Sequence, residues 1–168
     1  MSYQEHQKNA EQTVARCAVI TLSDTRTSES DKSGQTIQRL LVESGHQVAD
    51  YSLIPDEPVE LSSLLQQHLG SDSVDVILTN GGTGISQRDQ TISVIEEILD
   101  QPIPGFGELF RMLSWDQIGS GAMLSRAIGG IAKGKLVFAM PGSTKAVELA
   151  MTRLILPELK HLLSEIRK

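Results

Sequence analysis

The stretch Val74 to Ile98, VDVILTNGGTGISQRDQTISVIEEI, decides how the rest of the chain is to be read. It opens on an apolar run (Val74, Val76, Ile77, Leu78) whose length and branching predict a buried strand. The chain then drops into Gly81-Gly82-Thr83-Gly84 and enters an amphipathic helix with Ile92, Ile95, Ile98 and Leu99 on one side. Strand, glycine loop and helix start, in that order, suit an anion. Glycines let backbone N–H groups approach with no Cβ in the way, and a first helical turn adds donors and partial positive charge. Between loop and helix, Arg88 is a candidate anion clamp and Asp89 a candidate metal ligand. A plainer reading of Asp89 stands beside that one: an N-cap accepting from backbone amides, worth about 1 kcal/mol. The spacing is neither that of a P-loop, since no Gly-Lys-Ser/Thr follows, nor the G-x-G-x-x-G of a dinucleotide site.

The 168 residues suffice for one domain with a real core, and the low aromatic content makes that core Leu, Ile, Val and Ala. A net charge of −6 argues against a general nucleic-acid surface but leaves room for a local cationic pocket. Cys17 is the single cysteine, so no internal disulfide forms; its apolar setting marks a small buried hydrophobe rather than a nucleophile. No apolar stretch reaches membrane-spanning length, and the polar N-terminus carries no signal-peptide core. The expectation is a cytoplasmic protein with no membrane and no nucleic-acid partner. Residues 1–14 read as a flexible tail and 15–168 as a single domain.

Ahead of the central stretch, ARCAVITL (Ala15 to Leu22) predicts a buried strand that ends in Ser23-Asp24-Thr25-Arg26-Thr27 and a polar loop. Past the carboxyl end of a strand, such hydroxyls and carboxylates either face the ligand crevice of an open α/β sheet or simply solvate a loop. A helix follows from Ser33-Gly34, with Ile37, Leu40 and Leu41 inward and Gly45 ending it. His46 to Ile54 alternates as a strand with one wetter face, stopped by Pro55-Asp56-Glu57-Pro58. There Asp56 is either a turn or capping residue or a functional carboxylate at a strand end. Val59 to Leu69 is a helix carrying Leu61, Leu64, Leu65 and Leu69, with His68 expected in solvent.

Beyond the central stretch, Asp100 to Gly105 reads as a two-proline linker, and Phe106 to Ile118 as a helix with Phe106, Leu109, Phe110 and Leu113 inward. Glu108 lies near its start, where the dipole favours a carboxylate. Met112 and Trp115 fall off the stripe, which marks either a subunit interface or a second buried face. AMLSRAIGGIA and KLVFAM read as two strands of a hairpin turning at Lys133-Gly134, so the sheet is mixed. The second strand runs into Pro141-Gly142-Ser143-Thr144-Lys145 and a long helix interrupted at Pro157. A second strand–glycine–helix junction in one small domain strengthens the case for a phosphate-bearing ligand.

Taken together, Ser23-Asp24-Thr25, Asp56, Gly81 to Thr91, Pro104 to Phe110, Leu124-Ser125-Arg126 and Pro141-Gly142-Ser143 resemble the MoaB/MogA molybdopterin-binding family of molybdenum cofactor biosynthesis. The motifs are specific in combination: GGTG with Arg-Asp-x-Thr, then Pro-Gly-Phe-Gly-Glu, then Met-Pro-Gly-Ser. Asn80 departs from the more usual Thr before GGTG, and Gln90 from a commonly apolar position. The resemblance implies a three-layer α/β/α sandwich with a mostly parallel, mixed sheet, assembled as a trimer or hexamer. It implies molybdopterin as ligand and, as in the adenylyltransferases of the family, transfer of AMP from Mg-ATP to the pterin's phosphate with release of pyrophosphate. By motif, Asp56 and Asp89 are the essential carboxylates and the Mg²⁺ ligands. Ser23, Asp24, Thr25, Gly81, Gly82, Thr83, Gly84, Arg88, Thr91, Glu108, Ser125, Pro141, Gly142 and Ser143 line the pterin and nucleotide pockets.

Three functions compete on these grounds. One is a molybdopterin adenylyltransferase, favoured by Asp56, Arg88 and Asp89 occurring together, because a pure pterin binder needs no metal-holding carboxylate. Another is a non-catalytic molybdopterin binder, or a scaffold for other enzymes of the pathway. The third is an unrelated phosphate-binding α/β domain.

Overall fold

A computed structural model describes residues 2, 3, 5 and 12–168. In chain order the elements are β1 (Arg16–Leu22), α1 (Lys32–Glu43), β2 (Gln47–Ile54), α2 (Pro58–Leu69), β3 (Val76–Asn80), α3 (Thr91–Ile98), β4 (Gln101–Pro102) and α4 (Pro104–Ile118). A 3-10 segment (Gly119–Leu124), β5 (Ile128–Ala132), β6 (Lys135–Met140), α5 (Thr144–Ala150), a π turn (Met151–Ile155) and α6 (Leu156–Ile166) complete it. The six-stranded sheet has the order β2-β1-β3-β6-β5-β4. β1 runs parallel to β2 and β3, and β3 parallel to β6, while β5 is antiparallel to both β6 and β4. The sheet is therefore mixed, and the hairpin between β5 and β6 turns at Lys133-Gly134, both with positive φ, as a two-residue turn requires.

Side chains alternate across the sheet, and its central strands β1, β3 and β6 are buried on both faces while β2 and β4 at the edges are partly exposed. Cys17, Val19, Val76, Leu78, Leu136 and Phe138 pack against α1, α4, α5 and α6. Ala18, Ile20, Leu22, Ile77, Val137 and Ala139 pack against α2 and α3. This makes the three-layer α/β/α arrangement. Because β1, β2, β3 and β6 are mutually parallel, the loops that follow them gather on one rim: residues 23–31, 55–57, 81–90 and 141–143.

Several elements differ from expectation, each for a physical reason. The linker before α4 is shorter than expected, because Gln101–Pro102 pair with β5 and Pro104 takes the first helical turn, where a missing N–H costs nothing. On α4 the inner face is Phe106, Gly107, Phe110 and Ser114, while Leu109, expected inward, is 45% exposed. Residues 119–124 coil as a 3-10 segment, so the strand expected from Ala122 starts at Ile128. His68 is buried rather than solvated, with Nε2 3.3 Å from Asp50 Oδ2 on the outer strand β2. The helix is not broken at Pro157. The Leu156 amide donates back to the Met151 carbonyl, and this wider turn carries the chain past a residue that has no N–H to give. The tail expected over 1–14 lies mainly outside the described residues. Among the described residues no helix is long and apolar enough to cross a membrane.

Candidate functional site

The glycine loop after β3 and the loop after β6 meet at the rim. The Gly81 amide donates to the Met140 carbonyl at 3.1 Å, and a Cβ on Gly142 would sit 3.1 Å from the Gly81 Cα. Only glycine at both places lets the two turns touch. Between them and α4 opens a cleft of about 1150 Å³ lined by Ser23, Thr25, Gly81, Gly82, Thr83, Gly84, Asp89, Ser125, Pro141, Gly142 and Ser143 from the sequence-based set. The amides of Gly82, Thr83 and Gly84 donate to nothing among the described residues, which leaves a row of N–H groups for an anion. The start of α3 offers less than the sequence suggested, because the Thr91 amide is spent on the Gly82 carbonyl (3.1 Å).

The lining also carries cations, of which the lysine after the second glycine turn was expected and the two arginines were not. Arg26, Lys145 and Arg153 bring cations to the wall of the cleft. The loop that carries Arg26 reads from sequence as either crevice-facing or solvated, and the structure sets Arg26 in the cleft lining; its signal is an arginine among Ser23, Thr25 and Asp31 straight after a strand. Lys145 and Arg153 make no ion pair among the described residues. Phe110, Ile118, Leu124 and Leu149 add apolar lining to the same cleft.

Beside this cleft, the loops after β1, β2 and β3 are stitched together by charge. Asp24 Oδ1 accepts from the Asp56 amide at 3.0 Å, and Oδ2 pairs with Arg88 Nε at 2.8 Å. Arg88 Nη2 in turn reaches Glu57 Oε1 at 2.9 Å. Those bonds from Arg88 and the Asp56 amide hold the Asp24 carboxyl below its ordinary range, while Asp24 and then Glu57 hold the Arg88 guanidinium above its own. Arg88 is thus occupied by carboxylates and does not line the cleft.

Asp56 lies with its Oδ1 against Gly82, and Asp89 with its Oδ2 against Gly84. Neither caps a helix: Glu57 and Gln90 take the N-cap positions of α2 and α3. Burial, then the like charges of Asp89 and Asp24, push the Asp56 carboxyl up, with Arg88 opposing. Two carboxylates that repel each other across a glycine loop are a site a cation would relieve. Among the described residues no group of three or more His, Cys, Asp or Glu could hold a metal ion by itself. Asp89 Oδ2 also accepts from the Ser86 amide (3.1 Å) and hydroxyl (2.5 Å), which folds the loop on itself.

Two members of the sequence-based set lie elsewhere. Thr91 is buried behind the loop, its hydroxyl without a partner among the described residues. Glu108 faces a second, smaller cleft of about 310 Å³ with Arg111 and Arg126. Asn80, the departure from the family pattern, is fully buried: its amide donates to Thr21 Oγ1 (2.9 Å) and its carbonyl oxygen accepts from Ser33 Oγ (2.8 Å), tying β3 to β1 and α1.

Comparison with known proteins agrees with this geometry. Residues 18–161 match the family model described as a probable molybdopterin binding domain. The chain is 51% identical over its whole length to molybdenum cofactor biosynthesis protein B of Halalkalibacterium halodurans, covering 99% of that relative. Among solved structures, one of a molybdenum cofactor biosynthesis protein B superimposes with a TM-score of 0.90 at 52% identity, over 92% of this chain and 97% of the other. The tungsten cofactor synthesizing protein MoaB of Pyrococcus furiosus gives 0.83 at 35% identity, over 93% and 99%. With the sheet order, the paired glycine turns and a family match across most of its length, this chain belongs to the molybdopterin-binding family of molybdenum cofactor biosynthesis.

Proposed function

We propose that residues 15–168 act as one molybdopterin-binding domain that adenylylates molybdopterin with Mg-ATP. An oxygen of the pterin's terminal phosphate attacks the α-phosphorus of ATP. One P–O bond forms, the bond to the β-phosphate bridging oxygen breaks, and pyrophosphate leaves with the electron pair. A phosphate monoester is already a competent nucleophile near neutral pH, so charge control and alignment matter more than a strong base. The observation that carries this reading is the pairing of opposites at one loop: free amides and the cations Arg26, Lys145 and Arg153 for phosphate oxygens, and the mutually repelling Asp56 and Asp89 beside them.

Asp56 and Asp89 fit a magnesium ion, which typically takes one or two protein carboxylates and completes its shell with water and substrate oxygens. Bound there, it would supply charge neutralisation between two polyanions. The apolar lining of Phe110, Ile118 and Leu124 suits a flat heterocycle. Ser23, Thr25, Thr83, Ser125 and Ser143 would bond polar atoms of pterin and nucleotide, and Arg88 would act by fixing Asp24 near the metal site.

One observation favours the second reading, a binder or scaffold that holds molybdopterin without turnover: Asp89 already serves the loop through Ser86. Incubation of the purified protein with molybdopterin, ATP and Mg²⁺ decides between them. Pyrophosphate that appears only with the pterin is the expected result; tight pterin binding without pyrophosphate leaves the second reading. The assembly belongs to the same proposal. Leu109, Met112, Trp115 and Met123, which do not line the cleft, are exposed along α4 and the following 3-10 segment, an apolar face that a trimer or hexamer would cover, or other proteins of the pathway would use. A buried, unpaired Cys17 accords with a cytoplasmic setting.

A further inference from the structure

The loop after β1 does more than start α1. Asp31 is fully buried; its Oδ1 accepts from the Gly34 amide at 3.1 Å, and its Oδ2 from the Tyr51 hydroxyl at 2.7 Å. Burial pushes this carboxyl up, but the bonds from Thr21, Tyr51 and Gly34 outweigh it and hold the group below its ordinary range. Asp31 therefore stays an anion in the interior, and its ion pair is with Arg26, whose Nη1 lies 3.4 Å from Oδ1. An N-cap needs only the Gly34 contact, so Tyr51 and Arg26 go beyond that role.

Arg26 is fixed on both sides. Nη1 donates to Ser33 Oγ at 2.6 Å, and Nη2 donates to the Gly142 carbonyl at 2.8 Å, so the guanidinium spans from α1 to the loop after β6. Its Nε hydrogen and second Nη2 hydrogen have no partner among the described residues, while the side chain is 31% exposed and lines the cleft. A guanidinium locked in orientation with two donors left over is suited to a pair of phosphate oxygens. It stands on the Gly81–Gly142 side of the loop, whereas the acidic pair lies against Gly82 and Gly84.

We propose that Arg26, presented by the buried Asp31, receives a phosphate monoester without a metal ion, leaving Asp56 and Asp89 to the metal-bound triphosphate. Arg26 is the specificity-determining contact and Asp31 a positioning residue. The inference rests on reading this cleft as the site of the pterin's phosphate, and it sorts the two anions of the reaction by how each is neutralised.

The test titrates the full chain with inorganic phosphate in EDTA, by calorimetry or phosphorus NMR line width, over a range of sodium chloride. Wild type is expected to bind. Arg26→Ala is expected to weaken binding at least about tenfold and to flatten its salt dependence. Arg26→Lys keeps the charge without the fork and is expected to recover only part of the affinity. Asp31→Asn, measured where circular dichroism shows it fully folded, is expected to lose affinity severalfold while keeping the salt dependence; a merely structural Asp31 would leave binding by the folded variant unchanged. Arg39→Ala removes the same charge from the exposed face of α1 and serves as the control. Wild-type affinity in folded Arg26→Ala, an equal loss in Arg39→Ala, or no metal-free binding by wild type overturns the proposal. Should Arg26→Ala not fold, full affinity in Arg26→Lys overturns it instead. Failure of pyrophosphate release with Arg26-dependent phosphate binding intact refutes adenylylation and leaves this inference standing.

Discussion

Replacing Gly82 by alanine separates backbone strain from contact at the loop, provided Gly45 is replaced in parallel. Both glycines have left-handed φ, +65° and +80°. A side chain in that conformation costs about 1–2 kcal/mol at either site. At Gly45 the new methyl meets nothing within 4 Å, so the strain is the whole cost. At Gly82 it would lie 2.3 Å from Thr91 Oγ1 and 2.6 Å from Asp56 Oδ1. Neither neighbour yields freely: the Thr91 amide is bonded to the Gly82 carbonyl and the Asp56 amide to Asp24. Overpacking of this kind adds roughly 1–3 kcal/mol, giving about 2–5 kcal/mol in all. For a chain of this size, melting should fall by about 2–8 °C in Gly45→Ala and about 4–20 °C in Gly82→Ala. The methyl also displaces the Asp56 carboxylate, and misplacement by about 1 Å can cost roughly 10²-fold in rate. Thermal melts of both variants, with pyrophosphate release assayed below the lower transition, make the comparison. If the two variants melt alike, or Gly82→Ala keeps full turnover, the close packing of Asp56 and Thr91 on this loop is wrong.

Asp89→Ala should abolish turnover with a small change in melting, since it caps no helix and its fold contacts are confined to Ser86; a collapsed melt with proportionate activity loss would make Asp89 structural. Asp56→Asn should lose Mg²⁺-dependent turnover yet melt higher at pH 7. A carboxyl raised in the fold is destabilising once ionised, so stability present below its unfolded pKa is lost as pH rises; a lower melt contradicts this sign. Asp75 has the opposite sign. Burial pushes it up, but bonds from Arg16, with the charge of Arg167, outweigh that and lower it to about 2. It should contribute about 1–2 kcal/mol above pH 4, discounted for the partly exposed arginines and lost as pH falls from about 4 to 2. In Asp75→Asn the acid limb of the denaturation curve should flatten over that window. Trp115→Glu places a charge within the exposed apolar face of α4 and should shift sedimentation toward monomer; a wild-type sedimentation profile would count against that face as the assembly surface.

The sequence is most legible where one physical requirement acts alone. Apolar runs ending in polar or glycine turns located β1, β3 and β6, and helical spacing located α1, α2 and α3 to within a residue or two. Where two requirements compete, the pattern misleads. α4 carries apolar residues on two sides, so periodicity could not say whether Leu109 or Ser114 faces the core. His68 sits on a helix whose spacing looks solvated, but the outer strand places Asp50 within 3.3 Å of its ring. Of the site, the glycine turns and acidic residues were readable because their chemistry is local. Arg26 and Arg153 were not, because their value depends on which loops the parallel strands bring to one rim. The bond from Arg26 to Gly142 spans 116 positions of sequence, and nothing local signals it.

The two ends of the sheet are built on opposite terms, and that contrast is the physical case for a ligand. At the amino ends of β1 and β3, Asp75 takes bonds from the Arg16 amide and guanidinium and from Arg167, and Lys135 Nζ donates to the carbonyls of Ser71 and Val74. Polar groups there are met from within the chain. At the carboxyl ends, Gly82, Thr83 and Gly84 keep their amides unspent among the described residues, Gly81 and Gly82 hold left-handed φ, and Asp56 bears the charge of Asp89 and Asp24. Each of these features works against stability and each has a simple remedy, an asparagine at Asp56 among them. Their concentration at one rim, opposite a well-satisfied edge, is what selection for binding leaves behind: anionic oxygens would satisfy the amides, and a divalent cation would relieve the acids. The order matters. A cation bound first lowers the repulsion at Asp56 and Asp89 and adds positive charge beside the amide row, so nucleotide and metal should bind with positive coupling, each tightening the other by the same factor.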